Sequence, residues 1–256
     1  MTPDTVPRLR MFAGPNGSGK TTVKTALGKP ATWFGAYINP DDIEAAARRD
    51  GRLSLDPLGL AVTAADVSAA FAASPLLAGA GLSPGDITDQ GCTLGFGGTA
   101  FTAYHASVLS DLLRRTALDA GRSFSFETVM SFPDKVALLA EARRRGFRTY
   151  LYYIATEDPE INVQRVRNRV ADGGHGVPEP KIVERYHRSL GQLAAAIRHA
   201  DRAYLFDTSE AEAWYLAEVT DGTAIDLKSD GEVPNWFAPV WAALQPAISP
   251  PGTTDQ

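Results

Sequence analysis

The sequence predicts an α/β fold of three layers, in which helices cover both faces of a mostly parallel, five-stranded sheet. Three observations predict it. Strand-like segments alternate with helical segments five times along the chain. The strand-like segments are short and apolar with little alternation, which is typical of parallel strands that are buried on both faces. A glycine-rich loop joins the first strand to the first helix, as in many nucleotide-binding α/β folds.

The elements follow from local signals. Strands are predicted at residues 9–13, 36–38, 124–127, 150–155 and 203–206, and two further β segments near 214–219 and 224–227. Helices are predicted at residues 20–27, 40–49, 99–120, 133–145, 161–170 and 180–200, and glycine directly follows three of them. Glycine is favoured after the last helical residue because it adopts the left-handed conformation there.

Residues 51–98 differ from the regular scaffold around them, since they are rich in glycine and contain few charges. We predict that this segment is an inserted helical and loop segment. One helix is expected at residues 63–73, with Thr63 as N-cap and Asp66 three residues later, a weak capping box. The rest is expected to be loop.

Composition excludes several classes of protein. The chain has 256 residues, a formal net charge of −5, 44% hydrophobic residues and 21% charged residues, so it is not disordered throughout. The acidic balance argues against a dedicated nucleic-acid-binding protein. Cys92 is the single cysteine and cannot form an intramolecular disulfide, which fits a reducing compartment. No signal peptide or membrane-spanning run is seen, so we expect no membrane association and a cytoplasmic location.

The strongest motif is the loop after the first strand. Gly14, Gly19, Lys20 and Thr21 match the P-loop pattern G-x-x-x-x-G-K-T. Backbone N–H groups of such a loop surround phosphate oxygens, the lysine bridges the β- and γ-phosphates, and the threonine ligates Mg²⁺. The motif predicts a P-loop NTPase or kinase fold with ATP and Mg²⁺ as cofactors. The predicted ATP-binding residues are Gly14, Pro15, Asn16, Gly17, Ser18, Gly19, Lys20, Thr21 and Thr22.

Carboxylates follow the second and third predicted strands. Asp41 and Asp42 come just after residues 36–38, and Glu127 ends the strand at residues 124–127. Ligands of open α/β sheets bind at the carboxyl ends of the strands, so one of the aspartates could accept the proton of an attacking hydroxyl or hold Mg²⁺ through water. The alternative is that Asp41 or Asp42 caps a helix. For Glu127 the alternatives are a ligand contact and a satisfied carboxylate at a strand end.

Arginines on the helix at residues 161–170 suggest a lid. Arg165 and Arg169 are four residues apart and share a helix face, next to a glycine-rich loop that contains His175. Arginines at such a place stabilise charge on a transferred phosphoryl group. The alternative is a solvated helix face, and His175 could contact phosphate or order the loop.

Taken together, these stretches resemble the zeta toxin family of P-loop kinases. The resemblance spans about residues 8–208, and the stretches that carry it are residues 14–22, 37–41, 124–128, 164–166 and 174–179. It implies a kinase domain at residues 8–228, in which the insertion at residues 51–98 caps the acceptor site. A C-terminal extension would occupy residues 229–256, with a disordered tail from about residue 246.

The resemblance also implies the chemistry. The γ-phosphate of ATP would pass to a hydroxyl group of a sugar nucleotide, with UDP-N-acetylglucosamine as the expected acceptor. Lys20, Asp41 and Arg165 would be catalytic, Asp41 being the general base, and Thr21 would ligate Mg²⁺. Arg169 would be a further ATP contact. The residues expected to bind the acceptor are Asp111, Glu127, Thr128 and His175.

The sequence departs from the family pattern in four places. Asn39 stands where the toxins have an aspartate, Val129 where they have a substrate-binding threonine, and His175 where they have a second lid arginine. The connection between Asp41 and Asp111 is far longer than in the toxins. Three alternatives stay open at this point: a P-loop ATPase or nucleotide-gated module, a kinase for another acceptor, and a toxin that a separate antitoxin protein neutralises.

Overall fold

A computed structural model of the chain describes residues 6–83, 85–98, 100–174, 176–228 and 233–244. The strands are β1 (Arg8–Ala13), β2 (Ala36–Ile38), β3 (Arg52–Ser54), β4 (Thr88–Gln90), β5 (Thr93–Gly95), β6 (Phe124–Thr128), β7 (Arg148–Ala155), β8 (Arg202–Asp207), β9 (Trp214–Thr220) and β10 (Ala224–Leu227). The helices are α1 (Lys20–Ala26), α2 (Ala31–Phe34), α3 (Pro40–Asp50), α4 (Ala64–Ala72), α5 (Pro75–Gly79), α6 (Ala103–Asp119), α7 (Asp134–Arg144), α8 (Pro159–Ala171), α9 (Glu179–Arg198) and α10 (Ala238–Leu244).

The main sheet confirms the predicted fold class and corrects the strand count. Within the described residues it has seven strands, in the order β10-β9-β8-β7-β1-β6-β2. β2 is parallel to β6 and β7 is parallel to β8, whereas β9 is antiparallel to both β8 and β10. The two β segments predicted after the fifth strand thus extend the sheet as a hairpin. A tight turn suffices for antiparallel neighbours, and this one contains Asp221 and Gly222 at positive φ.

The chain divides into two units, the first of which comprises Met1–Met11, Gly28–Glu127 and Arg145–Arg148. Its core contains Ile38 of β2 and Phe124 and Phe126 of β6, all fully buried. Leu109 and Leu113 of α6 are also fully buried, and they lie one turn apart on one face of that helix.

The helix predicted from residue 99 begins at Ala103 instead. Residue Thr99 itself lies outside the described part of the chain. Thr102, just before the helix, has an extended backbone conformation, and its N–H donates to Nδ1 of His105 at 3.2 Å. The imidazole therefore satisfies a backbone donor at the helix start, a role that sequence reasoning usually gives to Glu or Gln.

The insertion at residues 51–98 is more regular than predicted. Besides the expected helix, it contains α5 and a second sheet of order β3-β5-β4, with antiparallel pairing throughout. Each of these strands has three residues, which is too short for alternation to be recognised in the sequence. The capping box is confirmed: Thr63 Oγ1 accepts from the Asp66 N–H at 3.2 Å, and Asp66 Oδ2 accepts from the Thr63 N–H at 2.9 Å.

The second unit comprises Phe12–Leu27, Thr128–Arg144 and Thr149–Gln256, so β1 contributes residues to both units. Its core is built by Leu151 and Tyr153 of β7, Leu205 of β8, and Leu193 and Ile197 of α9, all fully buried. The residues of β7 are buried without alternation from Leu151 to Ala155, as the sequence predicted for strands covered on both faces, whereas β8 alternates between buried and half-buried residues.

Helix α10 was not predicted. It lies in the segment 233–244, where Trp236, Phe237 and Val240 are buried. The predicted disordered tail from residue 246 lies outside the described residues. Among the helices of the described part, none is both long enough and apolar enough to cross a bilayer.

Candidate active site

The loop between β1 and α1 has the backbone that its glycines predict. Gly14, Gly17 and Gly19 have φ values of +146°, +78° and +80°. A Cβ atom on Gly14 would lie 2.0 Å from the carbonyl oxygen of Ile154, and one on Gly17 would lie 2.6 Å from that of Asn162. Both positions therefore require glycine for lack of space as well as for backbone conformation.

The polar groups of this loop fit a bound polyphosphate. The ammonium group of Lys20 donates to the carbonyl oxygens of Gly14 and Pro15, at 2.8 Å each. Ser18 is fully buried, and its Oγ has no hydrogen-bond partner. A buried hydroxyl without a partner in the protein is costly, so the Ser18 hydroxyl suits a site that binds a polar ligand. The loop runs into the N-terminus of α1, and the N–H groups at a helix N-terminus favour an anion.

Thr21 and Thr22 occupy the first turn of α1, and both are exposed. Among the described residues, no three His, Cys, Asp or Glu side chains cluster as a metal site would require. The Thr21 hydroxyl is an oxygen donor, the type of ligand that Mg²⁺ prefers, and it therefore fits Mg²⁺ that is held mainly by phosphate oxygens and water. Thr21 is the residue that would hold it.

Three buried polar residues outside the motif support the loop, and sequence reasoning missed them. The Asn162 amide group donates to the backbone oxygen of Asn16 at 2.7 Å, and its own oxygen accepts a short hydrogen bond from Thr156. The Thr208 hydroxyl donates to the backbone oxygen of Ser18 at 2.8 Å. Thr208 directly follows β8, so the rule applied to Glu127 could have identified it.

The predicted lid arginines differ in their surroundings. The Arg165 guanidinium donates to the backbone oxygens of Thr208 at 2.6 Å and Glu210 at 3.3 Å, which places it on the loop after β8. Arg169 is exposed, and its backbone oxygen accepts from the Gly174 N–H at 2.8 Å. The structure thus brings Arg165 to the loop that supports Ser18. His175 lies outside the described residues.

Arg167, which lies between these two arginines in the sequence, forms ion pairs with two glutamates. Its guanidinium pairs with Glu179 at 2.7 Å and with Glu160 at 3.7 Å. The guanidinium lowers the pKa of the Glu179 carboxyl group through a hydrogen bond. This pair joins α8 to the first turn of α9 at the protein surface.

In the first unit, Asn39 caps the helix that follows β2. Asn39 is the N-cap of α3, and its side-chain oxygen accepts from the Asp41 N–H at 3.0 Å. Asp41 and Asp42 lie in the first turn of α3, with exposed side chains. Carboxylates are favourable there because of the helix dipole. Since Asn39 caps this helix, the Asp41 carboxylate is not needed for that purpose.

Glu127 is half-buried at the end of β6 and is oriented by a tyrosine. The Tyr37 hydroxyl donates to Glu127 Oε1 at 2.6 Å. Burial raises the pKa of Tyr37, and the neighbouring Glu127 charge raises it further, so the phenol stays a donor. Thr128 belongs to the second unit: its backbone oxygen accepts from the Gly14 N–H at 3.2 Å, and its hydroxyl from the Met130 N–H at 3.0 Å.

Asp111 on α6 pairs with Arg114 at 2.6 Å, one turn along the helix. The Arg114 side chain is 5% exposed and lies over the Phe126 ring, 4.9 Å from its centre, whereas the Asp111 side chain is 46% exposed. The carboxylate thus compensates a buried cation and still reaches solvent. The described contacts join Asp111 to Arg114 and Glu127 to Tyr37 within the first unit.

The comparisons with known proteins agree with this description. Residues 99–218 match the family model described as Zeta toxin. A curated Haemophilus influenzae protein, described as uncharacterized, is 33% identical over 63 residues, which are 25% of this chain and 45% of that protein. The chain therefore spans less than half of the length of that relative.

Two solved structures share the fold. They are crystal structures of the AvrRxo1-ORF1:AvrRxo1-ORF2 complex, one with sulphate ions and one with ATP. The matched region covers 98% and 97% of this chain and 67% of the other chain, with TM-scores of 0.57 and 0.56 and a sequence identity of 16% in both cases. At this identity the likeness shows the fold, a mixed α/β fold with a mostly parallel central sheet.

Proposed function

We propose, since residues 99–218 match the family model described as Zeta toxin, that this chain is an ATP- and Mg²⁺-dependent kinase that phosphorylates a hydroxyl group of a small molecule. The observation that carries the proposal is the loop Gly14–Thr21. Gly14 and Gly17 leave no room for side chains, the Lys20 ammonium group lies on the loop, and the buried Ser18 hydroxyl lacks a partner. These features suit a nucleotide polyphosphate.

The ATP-binding roles follow the motif. Lys20 holds the β- and γ-phosphates, and Thr21 holds Mg²⁺. When bound, Mg²⁺ neutralises charge on the phosphate oxygens. Pro15 has no N–H, and the N–H groups of Gly14 and Ser18 donate within the protein. Other backbone N–H groups of the loop between Asn16 and Thr22 supply further donors. One of the solved structures with this fold contains ATP, which supports the choice of nucleotide.

Arg165 and Arg169 are the proposed lid residues. A guanidinium group has five N–H donors, and the three oxygens that Arg165 contacts, two carbonyls and the Thr208 hydroxyl, leave others for a phosphate oxygen. Arginine at this place would stabilise the charge of the transferred group. His175 and Arg169 keep their proposed roles on the strength of the family resemblance.

Asp41 is the proposed general base, which accepts the proton of the acceptor hydroxyl. Two observations support this role: the Asp41 carboxylate is exposed after β2, and the side chain that caps α3 is that of Asn39. Asp111, Glu127 and Thr128 are the proposed acceptor-binding residues. The hydrogen bond from Tyr37 supports the proposed role of Glu127. A carboxylate whose orientation is already fixed loses less conformational entropy when it binds a sugar hydroxyl.

UDP-N-acetylglucosamine is the proposed acceptor, and the insertion at residues 51–98 is the proposed cap over the acceptor. The family match supports the acceptor.

A separate partner protein is also proposed, since the solved structures with this fold are complexes with a second protein. The single cysteine, Cys92, is exposed and free, which supports a reducing location such as the cytoplasm.

The experiment that tests the proposed reaction compares ADP release with and without acceptor. A kinase should release ADP only when UDP-N-acetylglucosamine or a related sugar nucleotide is present, whereas an ATPase should release it regardless. Lys20→Ala should lower turnover by about 100-fold or more. Lys24→Ala, one turn along α1, is the matched control. Acceptor-independent release by the wild type would contradict the proposal.

A further inference from the structure

A third arginine, Arg185 on α9, lies against the phosphate-binding loop. Its Nη1 is 3.5 Å from the side-chain oxygen of Asn16, and the residue is half-buried. Asn16 and Gly17 form the part of the loop that rests on Asn162, through the hydrogen bond to the Asn16 backbone oxygen. Arg185 thus contacts this same part of the loop from a different helix.

The position of Arg185 is fixed by its neighbours on α9. The next residue, Tyr186, is buried, and its hydroxyl donates to the backbone oxygen of Thr156 at 2.7 Å. One turn further, Ser189 shares a buried hydrogen bond of 3.0 Å with Tyr153 of β7. These two bonds attach α9 to the β7 region beside the loop. The guanidinium is therefore held near Asn16 by structure that does not depend on a ligand.

The other arginines of this region already have strong partners. Arg165 donates to two backbone oxygens, and Arg167 pairs with Glu179 and Glu160. Arg188 pairs with Glu184 at 3.0 Å and lies over the Phe132 ring. Arg185 differs from them: within the described ranges it forms no ion pair, and Asn16 is its hydrogen-bond partner.

A half-buried cation without a counter-charge is unfavourable, and its free energy falls sharply when an anion binds. The anion expected at this loop is the polyphosphate of a nucleotide. We infer that Arg185 is a phosphate-contacting residue, whose guanidinium binds the terminal phosphate of ATP at the Asn16 side of the loop. This inference rests on the proposed function, and it adds a residue that neither the P-loop pattern nor the family resemblance assigns.

The test measures the binding of ATP and of ADP, each with Mg²⁺, to the full chain by calorimetry, without any acceptor. Because Arg185 is inferred to contact the terminal phosphate, Arg185→Gln should weaken ATP binding by about 10- to 100-fold. ADP binding should change by less than about threefold. Arg185→Lys keeps the charge without the planar fork, so ATP affinity should be intermediate. Arg188→Gln is the matched control and should bind both nucleotides as the wild type does.

The outcomes separate this inference from the proposed function. If the wild type binds ATP and Arg185→Gln keeps the wild-type ratio of ATP to ADP affinity, the inference is wrong and the nucleotide site stands. Equal losses for ATP and ADP also contradict it, because they indicate a structural role. If the wild type binds neither nucleotide, the inference about Arg185 and the proposed function are both wrong. Thermal unfolding of each variant shows whether the fold is intact, and Arg185→Lys provides the same comparison should the glutamine variant unfold.

Discussion

The hydroxyl of Thr208 donates a hydrogen bond of 2.8 Å to the backbone oxygen of Ser18, inside the phosphate-binding loop. The same hydroxyl lies 3.1 Å from the backbone oxygen of Ala155, at the end of β7. Thr208 and Ser18 are both buried. One side chain after β8 therefore ties together the loop after β1 and the end of β7.

Replacing Thr208 tests this connection. Thr208→Val keeps the shape but removes the donor, so the buried Ser18 oxygen loses its partner. We expect the free energy of unfolding to fall by about 1–3 kcal/mol and ATP binding to weaken. Urea denaturation and calorimetry measure the two effects. Thr208→Ser keeps the hydroxyl and should remain close to the wild type. A valine variant that binds ATP with unchanged affinity would show that Thr208 does not support the loop.

The Tyr37–Glu127 hydrogen bond predicts an effect that is specific to the acceptor. Tyr37→Phe removes the donor that orients the carboxylate, so the KM for the acceptor should rise severalfold while the affinity for ATP stays the same. The free energy of unfolding should fall by about 1 kcal/mol, since the pair is partly exposed. Steady-state kinetics with each substrate varied in turn measures the first effect. Equal changes in both KM values would contradict a role at the acceptor.

The same pair predicts a pH dependence in alkaline solution. The pKa of Tyr37 in the folded protein is raised above its ordinary value of 10.0. Its contribution to stability is therefore complete below about pH 10 and is lost as the pH rises further, because the unfolded tyrosine ionises first. Denaturation between pH 8 and pH 11 should show a steeper loss for the wild type than for Tyr37→Phe. Parallel curves would contradict this origin.

Trp236, in the segment 233–244, is expected to stabilise the folded protein through its contact with the end of β8. The indole N–H of Trp236 donates to Asp207 Oδ2 at 2.7 Å, in a buried position next to Thr208. Trp236→Phe leaves this carboxylate with one donor fewer and should cost about 1.5–3 kcal/mol of unfolding free energy. Trp241→Phe is the control, because the Trp241 indole N–H has no hydrogen-bond partner in the described segments. Equal losses in both variants would mean that only ring packing matters.

Much of the fold could be predicted because its signals are local. The five strands, the P-loop and the helix after Asn39 each follow from a pattern of fewer than about twelve residues. The short strands of the insertion could not be predicted, since their stability comes from pairing between segments that are distant in the sequence. Helix α10 was missed for the same reason: its apolar residues are buried only by contacts with the rest of the chain.

The candidate site, like the fold, could be predicted only where its signals are local in the sequence. The motif identified the residues Gly14–Thr22, and the structure gives them the required backbone. It did not identify Asn162, Thr208 or Arg185, because their contacts with the loop join residues that are more than 140 positions apart. Local patterns contain no information about such pairs.

The most direct test of the proposed kinase activity is mass spectrometry of the acceptor after incubation with ATP and Mg²⁺. The wild type should add one phosphoryl group to UDP-N-acetylglucosamine or to another sugar nucleotide in a panel. Asp41→Asn should lower the rate by about 10²–10⁴-fold with little change in ATP affinity, because it removes the general base. A wild type that binds ATP but phosphorylates no member of the panel would contradict the proposed acceptor class. An Asp41→Asn variant with unchanged turnover would contradict the proposed base.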